Sequence, residues 1–328
     1  MIRIVYRTPE GQLRDDVLPE ELASLLREAN GPLWVDFEAE PVEVCEPILR
    51  DVFHFHPLAI DDALKETHVP RVDDWKEYLY LVLHAVEFRD LDGASIATLE
   101  LDAFLGSHYL VTHHDHPIAA VGRLWTRAHR DDRLLKNGTG LLFYELSDEL
   151  VAGHMPVIEA VDDAIDRIEN EIFQRPMPRT QEELFRLKRA VIYLRRIIAP
   201  QREVFNRLAR DDYSVIEPRN RVYFRDVYDH LVRLHETSES LRDLVSGAVD
   251  TYLSVINNRL SDVMKTLTII TTLFMPISFL ASFFGMNFFA PVEPFHLWTS
   301  QRTLLATLVT MGLIPGLMYW WVRRRGWM

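Results

Sequence analysis

Three groups of residues in this chain have types and spacings that could do chemistry. The first is a stripe. Ser261, Met264, Leu267, Thr271, Met275, Ser278 and Ser282 recur at three- and four-residue steps, so on a helix they share one face. That face mixes hydroxyls with large apolar groups and holds no carboxylate. It suits an ion that keeps its water, and Mg2+ dehydrates reluctantly. Met264, Leu267 and Met275 could close a passage by dewetting. The second group is Gly285-Met286-Asn287, directly after the stripe. A ring of Asn287 side-chain carbonyls could accept hydrogen bonds from an ion's water shell. The third is His113-His114-Asp115-His116. Neighbouring residues at a strand end point to opposite faces, so this run does not easily chelate one ion. It also lacks the helical HExxH spacing of zinc proteases. A solvated loop is expected there, His54 and His56 are expected to be structural, and no catalytic residue is assigned: the chain is expected not to be an enzyme.

The elements that must position the stripe are membrane segments. Residues 266–284 hold nineteen residues without a charge, and residues 303–322 hold twenty; roughly 20 span a bilayer core. Arg323, Arg324 and Arg325 follow the second segment, Arg259 and Lys265 precede the first, and the segment between contains no Lys or Arg until Arg302. The positive-inside bias therefore predicts both termini in the cytoplasm. Trp320, Trp321 and Trp327 suit an inner aromatic belt and Trp298 an outer one. Pro276 and Pro315 are expected as bends, because neighbouring helices compensate for the lost hydrogen bond. Two helices cannot enclose a pore, so several copies must surround an axis with closed cyclic symmetry. The first span is the better candidate for lining it.

Upstream, Val227, Leu231, Leu234, Leu241, Val245, Ala248, Tyr252 and Val255 alternate steps of four and three, with Ser238 filling one position. This spacing favours helix packing. It predicts one helix over 222–284, on the order of 95 Å long, that runs unbroken into the membrane. Before it, 141–210 reads as an acidic helix, the breakers Pro176 and Pro178, and a basic helix, which suggests a hairpin with complementary faces. The first part of the chain is different. Short β-rich runs at 2–6, 33–37, 78–88, 96–105 and 109–113, with a helical stretch around 41–65, predict a mixed α/β domain.

The bulk numbers set limits. The formal net charge of −13 over 328 residues argues against nucleic-acid binding. The single cysteine, Cys45, makes no internal disulfide and belongs to no CxxC motif. No apolar run near the N-terminus resembles a signal peptide.

The Gly-Met-Asn triplet, placed between two C-terminal spans and after a long helix, resembles the defining motif of the CorA family of magnesium and cobalt transport proteins. The stretches 223–230 and 257–279 and the tail RRRGWM resemble the family too, and the resemblance covers roughly residues 50–328. It implies an α+β cytoplasmic domain (1–140), a charged helical hairpin (141–219) and a long stalk helix with the first span (220–287). An outer loop (288–302), a second span (303–322) and a basic cytoplasmic tail (323–328) complete the division. The family assembles as funnel-shaped homopentamers in the cell inner membrane and passes hydrated Mg2+, also Co2+ and Ni2+, through a central pore. Gly285, Met286 and Asn287 would form the selectivity ring. Phe284 stands where the family usually has tyrosine, and Ser261 where relatives often have asparagine. In several members Mg2+ bridges acidic residues of adjacent subunits and shuts the pore. Asp226 matches one such residue, and Asp90 or Asp92 would be its partner. The implied partners are further copies of the chain, lipid and divalent cations. The zinc-transporting, proton-driven ZntB branch shares the architecture and is the alternative; a membrane-tethered metal sensor without transport is a third reading.

Overall fold

The structure is a computed structural model and describes residues 1–28, 31–65, 68–88, 96–131, 133–174, 177–285 and 301–325. In chain order the elements are β1 (Ile2–Arg7), β2 (Leu13–Arg14), α1 (Leu22–Glu28), β3 (Leu33–Glu38), α2 (Val42–Pro47), α3 (Pro57–Lys65), β4 (Arg71–Asp74), β5 (Tyr78–Phe88), β6 (Ile96–Gly106) and β7 (Tyr109–His114). Then come α4 (Ala119–Arg130), α5 (Arg133–Lys136), α6 (Thr139–Ala152), α7 (His154–Gln174), α8 (Pro178–Arg210), α9 (Arg221–Gly285) and α10 (Gln301–Arg324). The chain divides into two compact units, Met1–Asp250 and Thr251–Met328.

The first unit is built on a seven-stranded sheet ordered β2-β1-β3-β7-β6-β5-β4. Neighbouring strands run antiparallel except β3 and β7, which are parallel. Alternation assigns the faces. Leu33, Val35 and Phe37 of β3, Val111 of β7, Phe104 of β6 and Tyr78, Tyr80 and Val82 of β5 point to one side. There they form a core with Leu22, Cys45, Leu49, Phe53, Phe55, Ile60 and Ala63 from the helical segments. Burial pushes the Cys45 thiol up to about 12. On the other side Trp34 meets Trp125 of α4, ring centroids 5.0 Å apart. Thr139, at the start of α6, donates its hydroxyl to the Gly106 carbonyl at 2.8 Å. A side chain at Gly106 would collide with the Tyr109 ring, so the tight β6–β7 turn requires glycine.

The five expected strands all form, and two short ones, β2 and β4, join the sheet at its edges. The helical stretch expected at 41–65 is α2, a wide helical turn over Ile48–Val52, and α3. The break falls at Phe53–His56, where His54 takes a positive φ of 57° and the following Pro57 opens a fresh helix. The stretch at 141–210 is likewise three helices, interrupted at Gly153 and again before Pro178.

The seam between α7 and α8 is apolar rather than ionic. Val157, Ile158, Val161, Ile165, Leu184, Leu187 and Val191 are buried. Among the described residues Arg179–Glu171, at 3.4 Å, links the two helices near their turn. Exposed ion pairs contribute about 0–1 kcal/mol, so burial outweighs charge complementarity here. At the sheet edge, α8 supplies Gln201, whose amide oxygen accepts the His84 backbone N–H at 2.9 Å. β4 ends before this level, and Gln201 satisfies the hydrogen bond the missing strand would have made.

Helix α9 is 65 residues long and has Pro276 inside it. Val227, Leu231, Leu234, Ser238, Leu241, Val245, Ala248 and Tyr252 are buried, as their spacing predicts, and Val255 is half-buried. Phe224, at its start, packs its ring at a tilt against Phe143 of α6 and Phe205 of α8, with centroids 6.0 and 6.4 Å apart.

In the second unit α9 continues to Gly285, and α10 holds Pro315 inside an unbroken helix. Both are long and apolar enough to cross a membrane, and only 6% and 11% of their most apolar windows are buried. A helix that is apolar all round and unburied needs lipid or further protein. Their hydroxyls are satisfied within the helix: Thr271 donates to Leu267 at 2.9 Å and Thr310 to Ala306 at 2.8 Å, which removes the cost of polar groups in hydrocarbon.

Candidate functional site

The expected regulatory residue Asp226 lies in the second turn of α9. One helical turn further on is His230, on the same face. The aromatic contacts of Phe224, together with Tyr144 against Tyr223 at 5.0 Å, hold this end of α9 beside α6. That brings in Asp148. Ligand atoms of Asp148, Asp226 and His230 all lie within 4.8 Å of one another, and His230 Nδ1 is 3.4 Å from an Asp148 oxygen. Two carboxylates and an imidazole on an accessible surface can take one divalent cation. Burial, then the charges of Asp148 and Asp226, push the nearby Tyr144 hydroxyl up to about 12, which registers the negative field a cation would meet. Asp90 and Asp92, the expected partners of Asp226, lie outside the described residues.

The expected stripe lies within α9, where most of the span is exposed. Ser261, Met264, Leu267, Thr271, Met275, Ser278 and Ser282 are all exposed; Met264 is 54%, Leu267 56% and Met275 66% accessible. Ile269, Leu273, Ile277 and Leu280, on the far side, are buried or half-buried. Gly285 is the last residue of α9, while Met286 and Asn287 lie outside the described residues.

A third cluster joins Asp36, Glu38 and His114, whose ligand atoms also lie within 4.8 Å. It already holds a cation. Arg3 Nε donates to Asp36 at 2.9 Å, and its terminal nitrogen lies 2.9 Å from Glu38. Thr112 donates to Asp36 at 2.5 Å, and His114 Nε2 is 3.2 Å from the same carboxylate. Burial works to raise the Asp36 carboxyl, but His114, Arg3 and Thr112 outweigh it and hold it below its ordinary value. Burial works to lower His114, and Asp36 outweighs that, so its imidazole sits above its ordinary value. This is a structural ion pair, not a vacant metal site.

His113 and His114 are buried, 3% and 1% accessible, where a solvated loop was expected. They do point to opposite faces: His113 toward Asp102, His114 toward Asp36. They sit on β7, an interior strand, and sheet pairing rather than their polarity decides their burial. Sequence reasoning missed Asp148 and His230. The four-residue step from Asp226 to His230 was readable; Asp148 was one acid among nine in its segment.

The comparisons with known proteins bear on this architecture directly. A family model described as CorA-like Mg2+ transporter protein matches residues 29–324. The protein YfjQ of Bacillus subtilis is 34% identical, covering 90% of this chain and 89% of its own length. The cobalt/magnesium transport protein CorA of Thermotoga maritima is 31% identical, covering 92% of this chain and 85% of its own. The solved CorA magnesium transporter of Methanocaldococcus jannaschii superposes with a TM-score of 0.84 at 20% identity, covering 100% of this chain and 99% of that one, and so shows the same fold. An α+β unit, a long helix and two apolar helices, matched along nearly their whole length, define the class: a membrane transporter of divalent metal cations. The chain belongs to the CorA-like Mg2+ transporter family.

Proposed function

We propose that this chain forms a funnel-shaped homopentamer in the cell inner membrane and conducts hydrated Mg2+, with Co2+ and Ni2+ as further cargo, through a central pore lined by α9. The observation that carries the reading is the exposed stripe of seven hydroxyl and apolar residues, free of carboxylates, from Ser261 to Ser282, on a helix that ends at Gly285. Such a face binds water molecules of an ion's shell better than the bare ion. Gly285, Met286 and Asn287 form the selectivity ring at the outer mouth. Both termini are cytoplasmic, a reading that the arginines after α10 support. Residues 1–140 and the hairpin 141–219 form the cytoplasmic domain, 220–287 the stalk and first span, 288–302 the outer loop, 303–322 the second span and 323–328 the tail. Intracellular Mg2+ acts at Asp226, with Asp148 and His230 beside it and Asp90 or Asp92 completing the bridge between subunits.

The test is Mg2+ entry into liposomes that contain the purified protein, with Co2+ and Zn2+ as competitors. Wild type is expected to admit Mg2+, and Asn287→Ala to lose most of that entry. Zinc flux driven by a proton gradient, without Mg2+ entry, would move the chain to the zinc branch. No flux of any ion from assembled pentamer would make it a sensor.

A further inference from the structure

The last turns of α10 order three kinds of side chain along one side of the helix. Thr307 and Val322 are its buried residues. At about 100° per residue they lie within about 60° of each other and mark the side packed against protein. Leu317, Trp320 and Arg324 lie within about 60° of one another on the side opposite Val322, and Trp321 and Arg325 flank them. All five are exposed. Read toward the C-terminus, the order is aliphatic, indole, guanidinium, over about 12 Å of helix.

The two guanidiniums fold back toward the span. Arg324 lies over the Trp320 ring, 5.1 Å from its centroid, and Arg325 over the Trp321 ring at 4.9 Å. Helical side chains lean toward the N-terminus, so a ring and a cation four residues later meet. Charge is thereby held at the level of the indoles, whereas a basic side chain at the end of a span ordinarily reaches on into water. The dipole of the helix C-terminus favours any nearby cation, but it does not account for the stacking. Stacking occupies the flat face of each guanidinium and leaves its edge N–H donors free. Among the described residues no carboxylate pairs with Arg323, Arg324 or Arg325. The Arg325 backbone N–H, 3.2 Å from the carbonyl oxygens of both Trp321 and Val322, closes the last turn and fixes the arginines relative to the rings.

We propose that this side of α10 binds the headgroup of an anionic phospholipid. The acyl chains lie along Leu317, the glycerol region lies against Trp320 and Trp321, and the phosphate takes the edges of Arg324 and Arg325. A guanidinium edge matches a phosphate with two parallel hydrogen bonds. Anionic lipids gather beside basic residues at the end of a span, and tryptophan suits the depth between hydrocarbon and water. A zwitterionic lipid carries the same phosphate, but its own ammonium group competes for it, so the site selects for net charge. The site rests on α10 crossing the membrane. It needs neither the pore nor the Asp226 cluster.

The experiment mixes full-length protein in a mild non-ionic detergent with equal amounts of phosphatidylglycerol and phosphatidylcholine and counts the retained lipids by native mass spectrometry. Phosphatidylglycerol is expected to be held on each chain in preference to phosphatidylcholine. Arg324→Gln with Arg325→Gln is expected to reduce that preference about 25-fold, about fivefold for each charge near a membrane surface. Trp320→Leu with Trp321→Leu keeps every charge and is expected to weaken the preference severalfold; attraction by charge alone would leave it intact. Three results overturn the proposal: equal retention of the two lipids by wild type, an unchanged preference in either double variant, or displacement of the lipid by millimolar inorganic phosphate. The readout is lipid retention and not ion flux, so its failure is distinguishable from failure of the channel reading.

Discussion

At the scale of single residues, the buried network around Asp36 sets a pH dependence. Asp36 is held below its ordinary value of 3.8, so it contributes stability above that value and loses it as pH falls through the depressed one. His114 is held above its ordinary value of 6.5, so its contribution is full below 6.5 and fades as pH rises through the raised value. Both contribute together between those ordinary values. Asp36→Asn is therefore expected to cost about 3–5 kcal/mol there, the range for breaking a buried pair, and less at alkaline pH. Unfolding curves from about pH 5 to pH 9 check this; a loss that does not shrink with rising pH would contradict it. The cluster was invisible in the sequence. His113-His114 drew notice as a motif, but Arg3, Asp36 and Thr112 meet it only through the β1–β3–β7 register.

At the scale of elements, legibility followed periodicity. Helix α9 was predicted at 222–284 and spans Arg221–Gly285, because its buried stripe repeats for eight positions without a break. Strands of alternating or continuous apolar residues were readable as well. The two-residue β2 and the charged β4 were not, since edge strands carry little apolar pattern and form because β1 and β5 offer free backbone groups. The break at Gly153 was hidden because α6 and α7 are both amphipathic across it. If burial of the stripe holds α9 to its own chain, Leu231→Ala is expected to cost about 2–5 kcal/mol. Ser240→Ala, on the exposed side of the same helix, is expected to change stability by less than about 0.5 kcal/mol. Chemical denaturation of the two variants compares them; equal losses would show that the stripe is not what secures the helix.

At the scale of the whole molecule, in the proposed pentamer the Asp148–Asp226–His230 cluster would be a control point, since its ligand atoms lie within 4.8 Å of one another. In that assembly Asp226→Ala is expected to leave Mg2+ currents that no longer decline as cytoplasmic Mg2+ rises. Patch recordings across a range of Mg2+ settle it, and inhibition identical to wild type would remove Asp226 from gating.

The continuity of α9 has a further consequence, in the arithmetic of chain length. Each residue turns a helix by about 100°, and between Asp226 and the apolar stripe no loop is present to absorb an error. Inserting a single residue there would rotate everything downstream by more than a quarter turn and exchange the hydroxyl-bearing side of the span for another. Inserting seven would return it to within about 20°. Point substitutions on its exposed side leave that phase unchanged: the length of the segment carries information separate from that of its side chains.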